Sequence, residues 1–130
     1  MARILIVEDN TANMKLATFL LESAGYVVIP ATDAEAGVTL ARAEQPDLIL
    51  MDIQLPGMDG LQATALLKAD DATRAIPVIA LTVLAMKGDE ERIRAAGCDG
   101  YVAKPLSYKE FLATISAHLA KGPLQPAPPS

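Results

Sequence analysis

The sequence predicts an α/β domain in which a five-stranded parallel sheet carries helices on both faces. Three observations predict it. Five short apolar or β-branched runs recur along the 130 residues, stretches with helical spacing separate them, and the first, third and fourth runs lack period-two alternation. Strands of that kind are buried on both faces, which a parallel sheet between two helical layers requires.

The elements follow in order. Arg3–Val7 reads as the first strand, and Met14, Ala17, Leu21 and Ala24 mark one face of the helix after it, with Gly25 where a C′ residue belongs. Tyr26–Ile29 reads as the second strand. Thr32 and Glu35 then have capping-box spacing for the next helix. Leu48–Met51, Val78–Leu81 and Tyr101–Ala103 complete the strands, with Gly97 ending the helix before the last of them. Ser107 and Glu110 repeat the capping-box spacing, and Phe111, Leu112, Ile115 and Leu119 give the final helix its apolar face. Residues 1–121 thus form one domain. The Pro-rich tail 122–130, without apolar periodicity, is expected to be disordered or the stub of a linker.

Composition narrows the function. The chain is 52% hydrophobic with no Trp, so the core is aliphatic, and the single Cys98 cannot form an internal disulfide. Together with the missing secretory signal, this predicts a reducing, cytoplasmic setting. No apolar run approaches the ~20 residues of a membrane span. The net charge of −5, with basic residues scattered, argues against nucleic-acid binding.

In open α/β sheets, ligands bind beyond the carboxyl ends of the strands. The first strand runs into Glu8 and Asp9, the third into Asp52, the fourth into Thr82 and the fifth into Lys104 and Pro105. Each residue alone has an ordinary explanation: Asp9 or Asn10 could cap a helix, Thr82 could be a plain strand residue, and Lys104 a solvated charge. Together they make a site. Carboxylates about 4 Å apart repel by up to about 4 kcal/mol at an effective dielectric near 20, so three of them call for cations. Lys104 supplies one charge. All-oxygen donors favour Mg²⁺ or Mn²⁺ over zinc, and Mg²⁺ commonly combines one or two carboxylates with waters and a phosphate oxygen. Phosphoryl transfer fits this set, with Asp52 as nucleophile and Lys104 and Thr82 receiving phosphoryl oxygens.

These residues carry a resemblance. The run Ile4 to Asn10, the run Leu48 to Gly60 around Asp52 and Pro56, the Ala80-Leu81-Thr82 element and Lys104-Pro105 resemble the receiver domains of two-component response regulators. Within them the chain is most similar to stand-alone DivK-type regulators and the receivers of hybrid histidine kinases. The resemblance implies a flavodoxin-like (βα)5 fold with strand order 2-1-3-4-5. It also implies Mg²⁺ on Asp9, Asp52 and the Gln54 carbonyl, with Glu8 acting through water, and a cis bond before Pro105. Thr82 and Tyr101 would move together when Asp52 is phosphorylated by a histidine kinase or histidine phosphotransferase. A downstream protein would then be bound on the face of the fourth helix, fifth strand and fifth helix. The chain would be no enzyme beyond its own phosphotransfer and autodephosphorylation. Val83 departs from the family, which usually places a small residue there; Tyr101 fits the switch position, yet a strand Tyr can equally be half-buried packing.

Rival readings are weaker. An aspartyl-phosphate hydrolase normally has a second acid two residues after the nucleophile, where this chain has Gln54. A dinucleotide binder needs a Gly-rich turn after the first strand, where Asp9-Asn10-Thr11-Ala12 stands. A phosphorylation-independent receiver-like adaptor, or a receiver cut from a hybrid histidine kinase, are the alternatives within the fold. His118 reads as a surface or packing residue and Cys98 as a packing residue.

Overall fold

The structure is a computed structural model that describes residues 2–55, 57–83, 87–104 and 106–121, with the side chains of residues 87–89 and 121 outside the description. Strands β1 (Arg3–Val7), β2 (Val27–Ala31), β3 (Leu48–Asp52), β4 (Val78–Thr82) and β5 (Gly100–Ala103) alternate with helices α1 (Thr11–Ser23), α2 (Ala34–Glu44), α3 (Gly60–Ala69), α4 (Lys87–Ala95) and α5 (Tyr108–Lys121). All strand pairs are parallel, in the order β2-β1-β3-β4-β5. Pro56, Leu84, Met86, Pro105 with its expected cis bond, and the tail 122–130 lie outside the described residues.

Strand alternation divides the core into two layers. Ile4, Ile6, Leu48, Leu50, Ile79, Leu81 and Val102 pack with Ala17 and Leu21 of α1 and with Phe111 and Ile115 of α5. Leu5, Val7, Ile49, Met51, Val78 and Ala80 pack with α2, α3 and α4 through Val38, Ala63, Leu67 and Ile93. Both faces of β3 and β4 are therefore buried throughout, as the unbroken apolar runs require.

Two expectations are corrected. The second strand runs to Ala31 instead of stopping at Ile29, and it includes Pro30. Proline lacks the donor an interior ladder needs, but β2 is an edge strand, where that loss costs no bond. The cap of α2 is Asp33 and not Thr32: Asp33 has extended backbone and its Oδ1 accepts from the Ala36 amide at 2.7 Å. The glycines behave as read, Gly25 and Gly97 adopting φ of 93° and 103° after α1 and α4. Cys98 is buried beside Thr64, and the His118 ring lies over Gly100, where a Cβ would come within 2.8 Å of Nε2.

Candidate phosphoryl-transfer site

The site stands at the carboxyl edge of the central strands. Glu8 continues the Ile4–Ile6 row of β1, and Asp52 the Leu48–Leu50 row of β3, so both carboxylates extend the α1 and α5 side of the sheet. Thr82 continues the Val78–Ala80 row and extends the α3 and α4 side. Alternation alone thus sorts the acids from the hydroxyl.

Lys104 ties the acids together. Its Nζ donates to Glu8 Oε1 at 2.7 Å and to Asp52 Oδ2 at 3.1 Å, with side-chain exposures of only 11%, 1% and 4% for Lys104, Glu8 and Asp52. The second oxygens are held by backbone. The Gln54 amide donates to Asp52 Oδ1 at 2.9 Å, and the Asn10 amide to Glu8 Oε2 at 3.3 Å. Asn10 also caps α1 by accepting from Asn13, which leaves Asp9 exposed rather than used as the cap. Glu8, Asp9 and Asp52 each offer a carboxylate oxygen, and these oxygens lie within 4.8 Å of one another.

Protonation reflects the crowding. Burial, then the neighbouring Asp52 carboxyl, pushes Glu8 up from 4.5 to about 7, against the pull of Lys104. Burial also works against the charge on Lys104, but its bonds to Glu8 and Asp52 outweigh it and hold the ammonium above its ordinary range. Three carboxyl groups face one ammonium here, and burial together with this crowding favours the neutral form of Glu8. A divalent cation would relieve the same crowding, and the all-oxygen donor set fits Mg²⁺.

Thr82 is buried at the end of β4, its backbone carbonyl accepting from the Lys104 amide at 2.7 Å. Val83 is 52% exposed at the rim. Tyr101 is half-buried, and its hydroxyl donates to Glu90 Oε1 on α4 at 2.9 Å, a bond that pushes the phenol pKa up. Glu90 carried no signal along the sequence. Nor did the sequence single out Gly60, where an added Cβ would clash with the Asp52 carbonyl oxygen. The Asp59–Gln62 capping box, which opens α3 at that contact, has a legible spacing that went unused.

Comparison with known proteins agrees with this geometry. The family model described as response regulator receiver domain matches residues 4–116. The polar-differentiation response regulator DivK of Brucella anthropi is 53% identical over 116 residues, covering 89% of this chain and 94% of that protein. DivK of Brucella ovis has the same identity and coverage. Among solved structures, the receiver domain of a sensor histidine kinase from Pseudomonas aeruginosa, with a magnesium ion coordinated in its active site cleft, is 37% identical. It superposes with a TM-score of 0.86 over 92% of this chain and 98% of that one. The chemotaxis protein CheY4 of Vibrio cholerae, 25% identical, gives a TM-score of 0.85 over 90% and 98%. Fold, strand-end acids and sequence thus converge, and the chain belongs to the response regulator receiver domain family of two-component signalling.

Proposed function

We propose that the receiver, residues 1–121, accepts a phosphoryl group on Asp52 from a phosphohistidine of a histidine kinase or histidine phosphotransferase. An Asp52 carboxylate oxygen forms the new P–O bond as the P–N bond of the donor breaks, and the imidazole leaves with the bonding pair. The observation that carries this is the convergence of Glu8, Asp9 and Asp52 on Lys104 at the sheet edge. Asp9, Asp52 and the Gln54 carbonyl would hold Mg²⁺, with Glu8 acting through water, as the magnesium in the cleft of the Pseudomonas receiver supports. The ion supplies charge neutralisation for the phosphoryl oxygens. Lys104 orients Asp52 by direct contact and offers its ammonium to a phosphoryl oxygen, and the Thr82 hydroxyl offers a neutral donor.

The added charge near −2 draws Thr82 toward Asp52. Tyr101, which packs against the same layer as the Val78–Ala80–Thr82 row, follows, and the face of α4, β5 and α5 changes its fit for a downstream protein. Transfer from a phosphohistidine donor in Mg²⁺ tests the proposal: Asp52→Ala is expected to abolish labelling while keeping its circular dichroism spectrum. Labelling of Asp52→Ala at the wild-type level overturns it, and absence of label in both proteins favours a phosphorylation-independent adaptor. Asp9→Asn is expected to weaken Mg²⁺ binding more than Glu8→Gln; equal affinities for wild type and Asp9→Asn reject the ligand set.

A further inference from the structure

Tyr101 is held at its hydroxyl from outside the sheet. The ring packs against the core layer that contains Ala80, its partner in the β4–β5 ladder, and Ile93 of α4, while the hydroxyl reaches across from β5 to Glu90 on α4. The same Glu90 oxygen lies 3.9 Å from Arg94 Nη2, one turn further along α4 and 76% exposed. That ion pair is long and solvated, so Tyr101 is the stronger partner of Glu90. A cleft of about 550 Å³ adjoins the ring, lined by Ile93, Arg94, Cys98, Tyr101, Thr114 and His118 among others. Tyr101 therefore has open space on one side and a charge-assisted bond to Glu90 at its tip.

We propose that Glu90 is a regulatory latch: by accepting the Tyr101 hydroxyl it stabilises the unphosphorylated arrangement of β5 against α4 and so weakens the response to phosphorylation. The inference rests on the switching role proposed above for Thr82 and Tyr101. Turning the ring toward Thr82 takes the hydroxyl away from Glu90, and that bond is lost. The Glu90 carboxylate is not stranded, because it stays near solvent and Arg94. Stabilising the resting state lowers the apparent affinity for anything that requires the switched state, by the same factor.

The test is calorimetric titration of the full chain with beryllofluoride in Mg²⁺, for wild type, Glu90→Ala, Tyr101→Phe and the double variant. Glu90→Ala is expected to bind roughly three- to tenfold more tightly than wild type, the range set by one ordinary hydrogen bond, the gain from the Glu90 charge being discounted for its exposure. In the Tyr101→Phe background the same change is expected to have no effect, since the bond is already absent. Ultraviolet titration gives an independent readout, the Tyr101 phenol ionising at lower pH in Glu90→Ala. Unchanged or weaker binding by Glu90→Ala, or an equal gain in the Tyr101→Phe background, overturns the latch alone. Failure of wild type to bind beryllofluoride overturns the phosphoacceptor proposal, and the latch with it.

Discussion

The two sides of the strand-end edge are built differently. On the α1 and α5 side, Glu8, Asp52 and Lys104 are almost wholly buried, and both oxygens of each carboxylate are engaged, by Lys104 and by backbone amides. On the α4 side, Tyr101 is half-buried against a cleft, and its hydroxyl is held by a bond to a carboxylate near solvent. The first arrangement suits chemistry, where a misplaced oxygen costs rate. The second suits a readout, where two states must lie within a few kcal/mol of each other. A receiver needs both, and this sheet separates them by side-chain parity.

Breaking the pinned side has the largest expected effect. Lys104→Ala leaves two buried carboxylates facing each other without their cation, which costs on the order of 3 kcal/mol in the metal-free protein. Chemical denaturation in EDTA measures it, and a loss within experimental error would show that the acids are better solvated than the structure indicates.

A pH series on the wild type sharpens the same point. Folded Glu8 binds its proton more tightly than unfolded Glu8, with a pKa raised from 4.5 to about 7. Between those values the folded state carries more protons, so stability falls as pH rises. The contribution is fully present below pH 4.5 and gone above about 7. The metal-free protein is therefore expected to lose stability through this window, and saturating Mg²⁺ to reduce the loss. A flat or rising profile in EDTA contradicts the assignment.

Next comes Gly60→Ala. The added Cβ meets the Asp52 carbonyl and Ile53 Cα, backbone atoms that cannot swing aside, and about 1–3 kcal/mol of stability is expected to go. Gly57, with φ of 74° but open space around it, is the control for backbone strain without a clash. The smallest effect is expected at the rim. Val83 is exposed beside Thr82, and if its stiff branched side chain shields the phosphoryl group from water by about 1.4 kcal/mol, Val83→Ala shortens the phosphoaspartate lifetime about tenfold. Decay of purified phosphoprotein in Mg²⁺ measures it, and unchanged decay assigns water access to another residue.

Much of this was legible in the sequence because it depends on local pattern. Unbroken apolar runs mark β1, β3 and β4, and a parallel sheet then delivers Glu8, Asp9, Asp52, Thr82 and Lys104 to one edge without further information. The second strand runs on through Pro30, past the predicted end at Ile29, because edge position, a tertiary fact, decides whether proline is tolerated. Thr32 and Asp33 are adjacent capping residues, and only the backbone path chooses between them. Gly60 and Glu90 were invisible for a related reason. Each matters through a contact with another element, Asp52 in one case and Tyr101 in the other, that no spacing along the chain encodes.

Far from the acids, at the amino ends of β4 and β5, lies a polar knot. The Lys68 ammonium donates to the carbonyls of Arg74 and Ile76 and to Asp99 Oδ2, while Asp99 also accepts from the Val78 amide and its own amide donates to the Val78 carbonyl. The knot ties β4 and β5 together at the end of the sheet opposite the acids, over and above their ladder. A single ammonium, that of Lys68, thereby holds the register of the two strands that carry Thr82 and Lys104 at their far ends.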